Sequence, residues 1–200
     1  MINEVKSAVF TAPKTNINEL RREAQVIQMK GAPYMMASVI LWICATICRI
    51  LPVSLYMKNL LTFCCPMLLV PLALLFSKMI GADIFKKTDN PVNKLGILCT
   101  CNQLLYLLIV MWAFSMNPEV MMMLFAMVFG AHLLPFSWVY ESKTYLVMSI
   151  VTTLGSLLTA CVFGEVVMGV FMVICQIITS VLLLAECRKL SASKTSAVEL

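Results

Sequence analysis

The chain has 200 residues, of which 61% are hydrophobic and only 12% are charged. Soluble domains carry about 25% charged residues, so this composition excludes an ordinary soluble globular protein. The net charge of +5 would suit a nucleic acid, but the basic residues lie beside long apolar segments. We therefore expect no nucleic-acid partner and assign the positive charge to a membrane surface.

An amphipathic helix is predicted before the first apolar segment. Asn16 followed by Glu19 is typical of a helix start, and apolar residues then recur at helical spacing. Arg21, Arg22 and Lys30 lie on its polar side. We expect this helix to lie on the inner leaflet, where each basic residue contributes about 1 kcal/mol near anionic lipid. A solvated lead-in without a specific role is the alternative.

Six apolar runs follow, at 34–51, 53–77, 95–116, 119–140, 144–163 and 166–187. A bilayer core about 30 Å thick needs about 20 helical residues to cross. The sequence therefore predicts an all-α, polytopic membrane bundle of six transmembrane helices. Residues 1–32 form an N-terminal segment, residues 33–187 the transmembrane domain and residues 188–200 a C-terminal tail.

Prolines remove helical hydrogen bonds in two of the spans. Pro66 and Pro71 each remove a backbone donor from the second span, which should be kinked or locally unwound. Pro135 in the fourth span leaves the Ala131 carbonyl without its helical partner, next to His132.

The distribution of basic residues predicts the orientation of the chain. All but two of the 15 Lys and Arg residues fall in every second gap between the spans, which is the pattern of cytoplasmic segments. We therefore expect a multi-pass protein of the cytoplasmic membrane with both termini inside. The basic residues assigned to the membrane interface are Arg21, Arg22, Lys30, Lys86, Lys87, Arg188 and Lys189. The two exceptions, Arg49 and Lys58, should reach the outer interface along their alkyl stems.

Polar side chains inside a bilayer are expensive, so those in the spans are the candidate site. They are Asn102, Gln103, His132, Thr152 and Gln176. Counting from the turn at Asn117 places Asn102 and His132 level, about 22 Å below it. These two residues would either bind a small polar solute or relay a proton, or only hydrogen-bond each other to stabilise packing.

Two further features are candidate interaction surfaces. Thr152, Ser156, Ala160 and Gly164 repeat every four residues on the fifth span, and small residues in this pattern let another helix approach closely. That helix would belong to the same chain, a second copy or another membrane protein. The loop 78–94 is the longest predicted loop between spans and could report to a cytoplasmic protein.

Known catalytic and metal-binding patterns are missing from the sequence. A single histidine excludes bis-histidine haem and multi-histidine zinc sites within one chain. The nine cysteines lie almost entirely within the spans and are interpreted as reduced packing residues. We expect no cofactor and no metal, and we assign no catalytic residue.

Four motifs resemble a known family: GAHLLPFSWVYESKTY from Gly130, SKMIGADIF from Ser77, DNPVNKLG from Asp89 and NQLLY from Asn102. Their order and spacing are similar to those of an uncharacterised family of bacterial six-span membrane proteins, found largely in Gram-positive bacteria. The resemblance covers the chain from about Leu20 to Glu186. It implies a membrane location and this fold, and it implies no activity.

These observations favour binding or transport of a small solute, or a role as membrane subunit for a partner. The alternatives are an intramembrane enzyme with His132 as acid or base, and a sensor that signals through the loop 78–94.

Overall fold

The computed structural model describes residues 16–84 and 89–198, with side chains described up to residue 190. All regular structure in these residues is helical. Six helices are long and apolar enough to cross a membrane: Met29–Ile50, Leu55–Ile80, Pro91–Met116, Pro118–Val139, Lys143–Phe163 and Glu165–Leu190. The predicted all-α bundle of six spans is confirmed, and the chain is a multi-pass membrane protein.

Helix α1, Ile17–Ile27, precedes the spans, and Asn16 caps it as predicted by accepting a hydrogen bond from the Asn18 N–H. The first span contains α2, Ala32–Ile50, and the second α3, Leu55–Cys64, and α4, Leu69–Ile80. The third span is α5, Pro91–Met116. The fourth contains α6, Met121–Ala131, and α7, Leu134–Val139. The fifth is α8, Lys143–Phe163, and the sixth lies in α9, Glu165–Val198. Helix α9 is continuous across the predicted start of the tail at residue 188.

Both proline-containing spans are interrupted where the sequence indicates. A 3₁₀ segment, Cys65–Leu68, separates α3 from α4 and contains Pro66. The fourth span changes from α6 to α7 at His132 and Leu133, just before Pro135. In each case the missing proline N–H removes one helical hydrogen bond, so the backbone tightens or breaks there. The predicted irregularity of the second span is confirmed at Pro66, whereas Pro71 lies within the regular helix α4.

The spans pack in a row that leaves one side of the bundle open. The first span contacts the second and the sixth, the sixth contacts the fifth, the fifth the fourth, and the fourth the third. Within the described residues, the second and third spans form no comparable interface with each other. The gap between these two spans is the main irregularity of the fold.

Close packing at the centre of the bundle depends on aromatic rings and on glycine. Trp42 of the first span is fully buried, with its ring centroid 5.3 Å from that of Phe125 and 5.6 Å from that of Phe129. Gly130 lies so close to the fifth span that an added Cβ would be 2.7 Å from the Thr153 backbone nitrogen. The fourth span is therefore held tightly against both the first and the fifth.

The bundle has two distinct ends. The α1 end carries α1 and the turn at residues 140–142, and the far end carries the turns at residues 51–54, 117 and 164. At the far end the Arg49 side chain is only 1% exposed, and its Nη1 lies 3.3 Å from Glu165 Oε2. The prediction that Arg49 reaches the outer interface is wrong. The carboxylate of Glu165, from the sixth span, holds the guanidinium inside the bundle.

Candidate functional site

A cavity of about 320 Å³ lies between the first four spans, and residues of both the second and third spans line it. Its deep part is lined by apolar residues from the middle of the spans, among them Leu41, Pro66, Leu107 and Phe125. Its other part, at the α1 end, is lined by polar groups that include Gln28, Tyr34 and Asn93. The cavity is therefore polar at the α1 end of the bundle and apolar towards the middle of the spans.

A column of aromatic rings on the fourth span forms one wall of the cavity. The ring centroids of Phe129 and His132 are 5.0 Å apart, and those of His132 and Phe136 are 6.1 Å apart. Phe136 lies 5.9 Å from Tyr140, and Tyr140 stacks 5.8 Å from Tyr145. Rings at these separations attract each other, so the column is a rigid wall.

His132 lies at the break in the fourth span, and its hydrogen bond determines what it offers the cavity. Its Nδ1 is bonded to the Phe129 carbonyl oxygen. A carbonyl only accepts, so the neutral ring carries its proton on Nδ1 and has an acceptor lone pair on Nε2. His132 therefore enters the site as a hydrogen-bond acceptor.

The polar end of the cavity is a hydrogen-bonded network of neutral groups. The Tyr140 hydroxyl donates to Gln28 Oε1 at 2.5 Å, and Gln28 Nε2 donates to Asn93 Oδ1 at 3.3 Å. The Tyr145 hydroxyl donates to the Lys30 carbonyl at 2.8 Å. No Asp, Glu, Lys or Arg is among the described residues that line the cavity. The site therefore offers hydrogen bonds without formal charge.

The segment after α1 supplies Gln28 and Gly31 to the polar end of the cavity, and α1 itself is attached to three spans. The Asp83 N–H, just after the second span, donates to the Ile27 carbonyl at 2.9 Å. The Asn90 amide, at the start of the third span, donates to the Leu20 carbonyl at 2.8 Å. Arg21 pairs with Glu141 at 2.7 Å, beyond the end of the fourth span.

The contacts of Arg21 and Lys30 contradict the prediction that these basic residues lie against lipid headgroups. The Arg21 guanidinium also stacks over the Trp138 ring at 4.6 Å and donates to the Trp138 carbonyl. Lys30 is 6% exposed and pairs with Glu186 at 2.7 Å. These two residues bind protein carboxylates, so they are not available to lipid headgroups as predicted. Arg22 alone of the three remains exposed.

Only two of the five residues of the predicted candidate site meet in the cavity. Gln103 and His132 both line the cavity. Asn102 is exposed and does not line it, so the predicted pairing of Asn102 with His132 is wrong. Counting residues gives depth but not direction, and successive helical residues point about 100° apart.

Thr152 and Gln176 are fully buried elsewhere in the bundle. The Thr152 hydroxyl donates to the Met148 carbonyl at 2.6 Å, and Gln176 Oε1 accepts from the Ser38 hydroxyl at 3.2 Å. These residues form packing contacts of the fifth and sixth spans, apart from the cavity.

The signal that sequence analysis missed is the aromatic spacing of the fourth span. Phe125, Phe129, His132, Phe136 and Tyr140 recur every three or four residues, which places all five rings on one helical face. Tyr140 and Tyr145 are buried, and their hydroxyls bond to the segment that links α1 to the first span.

Residues 17–186 match the model of a family described only as a family of unknown function, DUF7010. The chain belongs to this family. No curated protein and no solved structure matches it. The region that the DUF7010 model covers contains the whole cavity lining as well as both partners of the Arg21–Glu141 and Lys30–Glu186 pairs.

The remaining predicted residues of this DUF7010 member lie away from the cavity. Arg188 and Lys189 are exposed at the α1 end, and Lys86 and Lys87 fall outside the described residues. On the small-residue face of the fifth span, Thr152 and Ser156 are fully buried, whereas Ala160 is half-buried and Gly164 is exposed at the turn. Half of that face is therefore covered within the chain. Among the described residues, no cluster of His, Cys, Asp and Glu is arranged to hold a metal ion.

Proposed function

We propose that this protein binds an uncharged amphipathic molecule, taken from the surrounding membrane, in the cavity between the first four spans. The observation that carries the proposal is the graded lining of the cavity: polar at the α1 end and apolar at mid-membrane, with no charged side chain among the described lining residues. Binding sites for small molecules are mostly apolar with a few oriented polar groups, as here.

The chemistry of the lining defines the ligand class. Gln103 supplies an amide, and His132 supplies an acceptor nitrogen, so a hydroxyl or amide group on the ligand would find partners. A formally charged headgroup would be desolvated there without a counter-ion, which is unfavourable. The apolar part of the ligand would lie along Leu41, Leu107 and Phe125.

The open side of the bundle supplies the route of entry. Where the structure describes them, the second and third spans form no long interface, and they meet in the Tyr56–Phe114 ring pair at the far end, with centroids 5.0 Å apart. A molecule can therefore pass between them from the lipid nearer the middle of the membrane. The second span is interrupted at Cys65–Leu68, beside this gap, where Pro66 itself lines the cavity. Helix α1 blocks the other route, since it is attached to the second, third and fourth spans at the polar end.

We also propose that the α1 end faces the cytoplasm of the cell, in its cytoplasmic membrane. The support is the placement of basic residues: Arg21, Arg22, Lys30, Lys143, Arg188 and Lys189 all lie at this end. Such an excess is typical of cytoplasmic segments. The polar end of the ligand would then lie near the inner leaflet.

Mass spectrometry of the protein purified in native lipid tests the proposal. Gly96 lines the cavity, and a Cβ added there would meet nothing within 4 Å, so Gly96→Phe should fill the cavity without disturbing the helix. Val147→Phe is the control, because Val147 is 54% exposed on the fifth span and lines neither the cavity nor the third span.

We expect one neutral amphiphile to be enriched with the wild type and with Val147→Phe, and to be lost from Gly96→Phe. His132→Leu should weaken retention of the amphiphile about tenfold, because it removes one hydrogen bond of about 1.4 kcal/mol. Equal recovery of the same lipids from all four proteins, in the proportions of the bulk membrane, would overturn the proposal.

A further inference from the structure

The third span has an uncovered row of residues with heptad spacing. They are Leu98, Asn102, Leu105, Ile109, Trp112 and Met116, separated alternately by four and three positions. All six are exposed, and the five apolar members are each at least half exposed. The third span is also the least buried of the six. We call this row the span-three seam.

The seam faces away from the cavity. Gly96, Thr100 and Gln103 line the cavity from the same helix. At 3.6 residues per turn, the directions of Asn102 and Thr100 around the helix axis differ by about 160°. Ligand binding and the seam therefore use opposite faces of one helix, and the inference below does not depend on the proposed ligand.

Asn102 is the unusual member of the seam. It is 11 positions from Pro91, about 16 Å along the helix and therefore within the hydrocarbon layer. Its amide carries two donor hydrogens and an acceptor oxygen. No hydrogen bond to this side chain is made by the described part of the chain. Lipid tails cannot supply one, so an exposed amide at this depth is unfavourable in a monomer.

We infer that the span-three seam is the contact surface of a homodimer, in which Asn102 of one copy hydrogen-bonds Asn102 of the other. Two copies inserted with the same topology are related by a two-fold axis along the membrane normal. Their third spans then run parallel, and identical residues meet at identical depth. Each amide donates to the oxygen of the other, so both are satisfied.

The sequence pattern of the seam independently favours two copies. A heptad row of apolar residues with a single Asn is the arrangement by which parallel coiled coils select register and strand number. An unrelated membrane protein would have to carry its own polar residue at the matching depth. The small-residue face of the fifth span is a poorer contact surface, because Thr152 and Ser156 are already buried within the chain.

Dilution in lipid nanodiscs or bicelles, with energy transfer between labelled full-length chains, measures the dimer directly. We expect Asn102→Leu to weaken association by roughly tenfold, as the loss of one or two intramembrane hydrogen bonds predicts. Asn102→Gln should retain most of it, since the amide is kept. Ile150→Leu is the control for a lipid-facing change at similar depth on the fifth span, where Ile150 is 52% exposed, and it should have no effect.

Cysteine cross-linking in the membrane gives a second test that does not rely on purified protein. In a background without native cysteines, Asn102→Cys and Ile109→Cys should form disulfide-linked dimers on oxidation, whereas Ile150→Cys should not. A monomeric wild type at all lipid dilutions would overturn the inference. Cross-linking of Asn102→Cys to a different protein would do so as well.

Discussion

Lys30 and Glu186, which are 156 positions apart in the chain, form an ion pair of 2.7 Å between the start of the first span and the end of the sixth. The same carboxylate accepts hydrogen bonds from the Ser142 hydroxyl at 3.1 Å and the Thr144 hydroxyl at 2.6 Å. One glutamate therefore joins the first, fifth and sixth spans at the α1 end.

We expect Lys30→Met to lower the free energy of unfolding by about 2 to 3 kcal/mol, because Glu186 would keep its burial but lose its counter-ion. Lys189→Met is the control, since Lys189 is exposed near the same end, and it should stay within about 0.5 kcal/mol of wild type. Thermal unfolding in a mild detergent measures both. Equal stability of the two variants would show that the pair contributes nothing.

At the far end, replacing Arg49 and replacing Glu165 should lower the free energy of unfolding by different amounts. The Arg49 side chain is 1% exposed and that of Glu165 is 27% exposed. Glu165→Leu leaves a buried guanidinium without its carboxylate and should cost about 3 kcal/mol. Arg49→Met leaves a carboxylate that can still reach water, and should cost no more than about 1 kcal/mol. The double variant should be more stable than Glu165→Leu alone; if it is less stable, the assignment of the cost to Arg49 is incorrect.

Two glycine-to-alanine changes should have opposite effects on stability. At Gly130 the new Cβ would lie 2.6 Å from the Thr152 hydroxyl and 2.7 Å from the Thr153 backbone nitrogen, so the fourth and fifth spans must separate. We expect a loss of about 1 to 3 kcal/mol. At Gly96 the Cβ meets nothing within 4 Å, so alanine should be neutral or stabilise the helix by up to about 1 kcal/mol. Parallel melting curves compare the two changes.

The proposed orientation can be measured by labelling cysteines from outside intact cells. In a background without native cysteines, Asn117→Cys at the far end should react with an impermeant maleimide, because Asn117 is exposed in a turn. Asn18→Cys in α1 is also exposed and should react only after the membrane is opened. Labelling of Asn18→Cys in intact cells would reverse the proposed topology.

Local sequence features were sufficient to predict the six spans and the interruption of the second span at Pro66. Length and hydropathy act within one segment, so the six spans were found with ends displaced by a few residues. Pro66 and Pro135 act on their own helices in the same way, and both interruptions lie where the prolines indicate.

Features that depend on the direction of a side chain could not be predicted from the sequence. Asn102 and Gln103 are neighbours at nearly the same depth, yet one is exposed on the seam and the other lines the cavity. Arg21 and Arg49 were assigned to lipid interfaces because their carboxylate partners, Glu141 and Glu165, are distant in the chain. Nothing in a local pattern identifies such partners.

Two ion-paired residues at the α1 end have an unusual backbone. Lys30 and Glu141, whose side chains form the two ion pairs at the α1 end, both adopt positive φ, at 51° and 46°. This conformation costs residues other than glycine about 1 to 2 kcal/mol each. Glycine would relieve the strain but would delete the ion pair. Part of the free energy of each ion pair therefore offsets backbone strain, and the protein keeps a charged side chain at two positions where glycine would be the less strained residue.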